Sequence, residues 1–95
     1  MSVELKLPTI LRRHTGGEAV VSGDGATLRE LLEDVDARHP GLLNSMVTQE
    51  GSLHRFVNVY VNDEDVRYLG SLETEVKDGD VVSILPAVAG GRQSG

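Results

Sequence analysis

Lys77-Asp78-Gly79-Asp80-Val81-Val82-Ser83-Ile84-Leu85-Pro86 is the stretch that decides the fold. Its first four residues have the composition of a tight turn, in which a glycine supplies positive φ at no steric cost. The apolar run Val81 to Leu85 reads as a strand of a buried sheet. Pro86 ends it, because proline fixes φ and has no N–H to offer a further ladder rung. The strand therefore leaves its sheet directly into Ala87-Val88-Ala89-Gly90-Gly91, followed by Arg92-Gln93-Ser94-Gly95. The rest of the chain decides where that strand lies.

At the other end, Val3, Leu5 and Leu7 alternate with Ser2, Glu4 and Lys6, the period of a half-buried strand. Pro8 closes it, and the path to Gly16-Gly17 reads as a turn-rich connection. Glu18 to Ser22 is expected to be a second short strand, antiparallel to the first, closed by Asp24-Gly25. The period then changes. Thr27 with Glu30 three residues later matches a capping box, in which each side chain satisfies a free N–H at a helix start. Leu28, Leu31, Leu32 and Val35 share one helical face, with Arg29, Glu33 and Asp36 away from it. His39-Pro40-Gly41 stops the helix.

A loop is expected from about Gly41 to Leu53. Val57, Val59 and Val61 then alternate with Phe56, Asn58 and Tyr60, so the valines face the helix and the two aromatics face the other way. Asn62-Asp63-Glu64-Asp65 reads as a turn into a short strand from Val66 to Tyr68. Strand, strand, helix, strand, strand, strand is an α+β order with one helix on one face of a mixed sheet. A right-handed crossover sets the first and last long strands side by side and parallel. This is the β-grasp (ubiquitin-like) arrangement, a sheet of about four to five strands with the last strand running through its middle. Phe56 and Tyr60 lie on the face without a helix, which makes them either a docking patch or residues under a covering loop. Residues 1–86 form the domain and 87–95 a tail.

The 95 residues suffice for one core. A formal net charge of -6, with no basic cluster beyond Arg12-Arg13-His14, argues against nucleic acid and favours a basic or mixed protein surface as partner. There is no cysteine, which removes disulfides, thiol nucleophiles and thiolate metal sites. His14, His39 and His54 lack the spacing of a metal or catalytic set and read as surface or structural residues. No apolar run approaches membrane-spanning length and no signal pattern begins the chain, so the expectation is a cytoplasmic protein with no membrane partner.

What remains is the main-chain terminus. Pro86 through Ala87, Val88, Ala89, Gly90 and Gly91 would make a tail, rooted in a central strand, that can thread a partner's narrow slot, since glycine has no Cβ to block it. The other reading of such an end is simple fraying. Gly16-Gly17, by contrast, lies between two strands and serves a turn.

Pro8-Thr9-Ile10-Leu11-Arg12 with His14-Thr15-Gly16-Gly17, Leu53 through Asp65, Asp78-Gly79-Asp80 and Ile84 through Gly91 resemble the ubiquitin-like sulfur-carrier family. This is the type of the molybdopterin synthase small subunit and the thiamine sulfur carrier, and the likeness is greatest to its actinobacterial cysteine-biosynthesis branch. The resemblance implies a carrier rather than an enzyme, with no bound cofactor and no metal. It implies Gly91 as the site of acyl and sulfur attachment. A ubiquitin-activating-type adenylyltransferase using ATP and magnesium would activate the carboxyl, and a sulfur donor would convert it to a thiocarboxylate. The acceptor would be a pyridoxal-phosphate-dependent cysteine synthase or another thiometabolite synthase. Arg92 to Gly95 depart from the family's ending. They are read as a segment removed by a zinc-dependent JAMM-type peptidase, the alternatives being residues foreign to the natural protein or an inactive copy. A protein modifier joining Gly91 to lysines, or a subunit that docks by its sheet face alone, are the competing functions.

Overall fold

The computed structural model describes residues 2–55 and 57–86. Its strands are β1 (Val3–Lys6), β2 (Val20–Gly23), β3 (Val57–Val61), β4 (Glu64–Asp65) and β5 (Val81–Pro86), and its helices are α1 (Leu28–Arg38) and α2 (Leu42–Met46). The strand order is β2-β1-β5-β3-β4, so β5 is central. It runs parallel to β1, with Leu5 opposite Val82, and antiparallel to β3, with Val59 opposite Ile84. The β-grasp arrangement expected from the element order is the one observed.

The two turns flanking the sheet explain this register. Gly79 takes φ 90°, and its N–H donates to the Ser2 carbonyl at 3.0 Å while Glu4 N–H donates to the Asp80 carbonyl at 3.1 Å. The turn thereby aligns the start of β5 with the start of β1. Between β3 and β4, Asn62 and Asp63 both have positive φ, 50° and 74°. That is the backbone of a two-residue hairpin, whose twist matches that of the strands it joins.

One sheet face is covered by α1. Leu28, Leu31, Leu32 and Val35 are fully buried against Val3, Leu5, Val59, Val82 and Ile84. Burial of each such side chain is worth about 1.5–3 kcal/mol, so the helical stripe and the odd positions of β3 supply much of the driving force. Thr27 caps α1, its Oγ1 accepting Glu30 N–H at 3.2 Å. The reciprocal half of the capping box falls one residue early, with Glu30 Oε1 accepting Ala26 N–H at 2.9 Å. A segment distant in sequence does the rest: Leu28 N–H donates to the Thr74 carbonyl at 2.8 Å.

Four local expectations are corrected. The second strand begins at Val20 rather than Glu18. The connection after Pro8 is a 3-10 helix, Thr9–Thr15, ended by Gly16 in a left-handed conformation at φ 68°. The loop after Gly41 contains α2, whose Leu42 and Met46 are buried, so this short segment folds as a helix because the core needs both side chains. Val66–Tyr68 is a 3-10 turn and the strand is the two-residue β4 before it. Asp65 explains the switch. Its Oδ1 accepts Arg67 N–H at 2.9 Å, capping the turn and diverting the chain from the ladder.

Candidate functional site: the open sheet face and the root of the tail

In each strand the residues that alternate with the buried ones point away from α1. The registers connect them in one row across all five strands: Val20 opposite Lys6, Lys6 opposite Ser83, Ser83 opposite Tyr60, and Tyr60 opposite Asp65. Beside this row Leu85 stands opposite Asn58. Leu85 is 49% exposed and Val20 45%, while Tyr60 is half-buried. No helix among the described residues covers this face. The surface is thus a mixed apolar and polar patch, centred on the strand that leads to the tail.

Of the expected docking pair, Tyr60 is on this open face and Phe56 lies outside the described residues. Leu85 and Val20 escaped the sequence reading, although the alternation of Ser83 and Leu85 with Val82 and Ile84 contained the signal for Leu85. Of the expected threading segment, Pro86 is the last described residue. Ala87, Val88, Ala89, Gly90 and the attachment residue Gly91 lie outside. Pro86 sits opposite Val57 at the end of the β3–β5 ladder, so the last described residue belongs to a central strand paired on both sides.

Charge at the edge of the face is balanced by Asp65 and Arg67. Arg67 Nη2 lies 2.7 Å from Asp65 Oδ2, and its Nε lies 3.2 Å from each carboxylate oxygen. The guanidinium, followed by the Arg67 backbone N–H, holds the Asp65 carboxyl below the usual range. Arg67 is pushed up in return, chiefly by its hydrogen bond to Asp65.

The histidines have structural surroundings. His14 Nε2 is 2.8 Å from Ser45 Oγ, which is also 2.9 Å from the Gly41 carbonyl oxygen, so the ring ties the first 3-10 helix to α2. His39 N–H closes α1 on the Val35 carbonyl, and His54 N–H donates to the Met46 carbonyl. Among the described residues no group of three or more His, Asp and Glu side chains is placed to hold a metal ion. No helix of the described residues is long and apolar enough to cross a membrane.

Comparison with known proteins agrees with this geometry. The sulfur carrier protein CysO of Mycobacterium tuberculosis is 53% identical over 93 residues, covering 96% of this chain and all of that protein. The CysO chain of the Amycolatopsis orientalis BexX/CysO complex is 61% identical, superposes with a TM-score of 0.87, and covers 94% of this chain and 99% of its own. Small archaeal modifier protein 3 of Haloferax volcanii is 32% identical, over 96% of this chain and all of that protein. The ThiS family model matches residues 5–91, from β1 through the diglycine, and the chain belongs to the ThiS family.

Proposed function

We propose that this protein is a sulfur carrier whose working group is the main-chain carboxyl of Gly91. The observation that carries the reading is the continuity of the family match, which runs unbroken from β1 through the central strand to Gly91. Arg92 to Gly95 fall beyond it. The carrier is a co-substrate and not a catalyst; its relatives bear the name of carrier proteins.

A carboxylate is a poor electrophile. Adenylation by a ubiquitin-activating-type enzyme, with ATP and magnesium, makes an acyl-adenylate and releases pyrophosphate. A sulfur donor then displaces AMP, and the carbonyl carbon exchanges its bond to the phosphate oxygen for one to sulfur. The thiocarboxylate attacks an electrophilic carbon on an accepting synthase, for which a pyridoxal-phosphate cysteine synthase type or a thiometabolite synthase fits. The cofactor belongs to that partner. With no cysteine in the chain, sulfur rides on the backbone terminus. Ala87-Val88-Ala89-Gly90-Gly91 threads the partner's slot while the open sheet face of Tyr60, Leu85 and Val20 seats against its surface. The full-length chain reaches this state after a peptidase, of the zinc-dependent JAMM type, cuts behind Gly91.

The test is the intact mass of the protein purified from its native host. A species ending at Gly91, heavier by the difference between sulfur and oxygen, is expected. Only the form ending at Gly95, even under sulfur limitation, would overturn the reading. A second reading is favoured by the modifier protein among its relatives: Gly91 joined to lysines through isopeptide bonds. Lysine-linked conjugates that appear without any thiocarboxylate would select it.

A further inference from the structure

A sheet of order β2-β1-β5-β3-β4 has two edges, β2 and β4. An open edge offers unpaired N–H and C=O groups to any other extended chain, a second copy included. β4 is closed by its brevity, since after two residues it turns into the 3-10 helix that Asp65 caps. β2 is longer, and its register shows which groups point outward. Glu4 N–H faces β5, donating to the Asp80 carbonyl at 3.1 Å, whereas Leu7 N–H donates to the Ala19 carbonyl at 2.8 Å. Bonded and non-bonded pairs alternate along an antiparallel ladder, so Leu5 and Val21 are a bonded pair while Glu4–Ser22 and Lys6–Val20 are not. The main-chain groups of Val20 and Ser22 therefore face away from β1.

One of those groups is already taken. The Ser22 carbonyl accepts Arg38 Nη2 at 2.7 Å, and the same nitrogen lies 3.0 Å from Asp34 Oδ2. That carboxylate oxygen also accepts Asp24 N–H at 2.9 Å. The C-terminal end of α1 thus reaches round the edge and fastens it. Val20 N–H, the Val20 carbonyl and Ser22 N–H have no partner among the described residues.

Pairing of two copies through β2 can be followed residue by residue. About a two-fold axis beside Val21, each Val20 N–H would meet the other copy's Ser22 carbonyl, and each Ser22 N–H the other's Val20 carbonyl. Half of that ladder needs the carbonyl that Arg38 holds. Sliding the pairing one way brings in Glu18, whose N–H donates to the Thr15 carbonyl at 3.4 Å and whose carbonyl accepts Thr15 Oγ1 at 2.7 Å. Sliding it the other way brings in Asp24, whose N–H Asp34 holds. Every antiparallel register longer than the Val20 pair meets a bond the chain has already made.

We infer that Arg38 guards the β2 edge, keeping the chain from pairing strand to strand with a second copy of itself. Val20, at the β2 end of the open-face row, is thereby left exposed, where the β2 strand of a second copy would otherwise stand beside it. The inference stands on backbone geometry and does not rest on the carrier reading.

The test is sedimentation equilibrium of the full-length chain at physiological salt, with amide hydrogen exchange as the local readout. Wild type is expected to be monomeric. Arg38→Ala should strengthen self-association at least about tenfold, the ratio that two freed backbone hydrogen bonds per dimer supply, with exchange slowed at Val20 and Ser22. Arg38→Met, which keeps the apolar stem and the helix propensity, should do the same. Both substitutions make a net charge of -6 more negative, so weaker repulsion cannot be the cause of a dimer. Arg13→Ala makes the same charge change at an exposed site outside the edge and should stay monomeric. Ser22→Pro added to Arg38→Ala removes an outward N–H that β1 does not use and should restore the monomer, since an edge strand tolerates proline there. The inference is overturned if the Arg38 variants sediment as wild type does, or if wild type is itself paired through β2. Association of Arg13→Ala to the same degree overturns it as well. So does a dimer that survives Ser22→Pro or leaves the Val20 and Ser22 amides exchanging as in the monomer.

Discussion

Asn62 grips Asp80 across the two turns that frame the sheet. Its Nδ2 donates to Asp80 Oδ1 at 2.9 Å, its Oδ1 accepts Val81 N–H at 3.0 Å, and its own N–H donates to the Val81 carbonyl at 2.9 Å. Asp80 Oδ2 accepts Lys77 N–H at 2.8 Å. One asparagine thus links the β3–β4 hairpin to the turn that launches β5, the central strand of the sheet.

Asn62→Ala removes both side-chain bonds and leaves alanine at φ 50°, where a Cβ is disfavoured. The expected loss is about 1–3 kcal/mol, read as a lower urea midpoint with an unchanged slope. A midpoint equal to wild type would mean that the hairpin holds its position without Asn62.

Acid should unfold the domain through three carboxylates. Asp34 is held below the usual range by Asp24 N–H and then by Arg38, Asp65 by Arg67, and Asp80 by the Asn62 amide and then Lys77 N–H. Because the folded values are depressed, their stabilisation is complete above the unfolded carboxylate pKa of about 4 and is lost as pH falls through the lower folded values. The melting temperature should be level from pH 7 to about 5 and fall below about 4. Asp80→Asn should be less stable at neutral pH and show a shallower acid decline. A melting temperature that stays level to pH 2 in the wild type would contradict this account.

Thr27→Ala deletes the cap on Glu30 N–H and should cost about 1 kcal/mol. Serine at this position should restore most of it. Equal stability of the alanine variant would show that the Thr74 carbonyl and Glu30 hold the helix start without help.

Thr74 offers the opposite sign. It is buried, and its Oγ1 has no hydrogen-bond partner among the described residues. Thr74→Val exchanges an unsatisfied hydroxyl for a methyl of similar shape and should raise stability by about 1 kcal/mol. A lower melting temperature would point to a bond that forms in solution.

The two faces of the sheet should separate folding from docking. Val59→Asp buries an unpaired charge at a position 1% exposed and should unfold the protein. Leu85→Asp, on the open face, should change stability by less than about 1 kcal/mol and still slow adenylation by the activating enzyme. It is a cleaner probe than Tyr60, whose cross-strand neighbour is Asp65. Unchanged adenylation of the Leu85 variant would remove the sheet face from the docking surface.

Patterns repeated along a single element were legible in the amino-acid sequence. The period-two valines of β3, the leucine stripe of α1, the Thr27 cap and the Lys77–Asp80 turn each depend on near neighbours in the chain, and all were found where expected. So was the placement of β5 beside β1, which follows from chain handedness once the element order is known. The short elements were not legible. Whether Val66–Tyr68 continues a ladder depends on an Asp65 side chain that competes with it, and α2 exists because Leu42 and Met46 fill space left by α1.

By itself, then, the sequence determined the β-grasp order, the core and the position of Gly90-Gly91 after the last strand, because those follow from local periodicity and covalent position. Tertiary structure decided which side chains share a surface: the row from Val20 through Lys6, Ser83 and Tyr60 to Asp65. Those residues are far apart in the chain, and only strand register and the path of the turns bring them within reach of one partner.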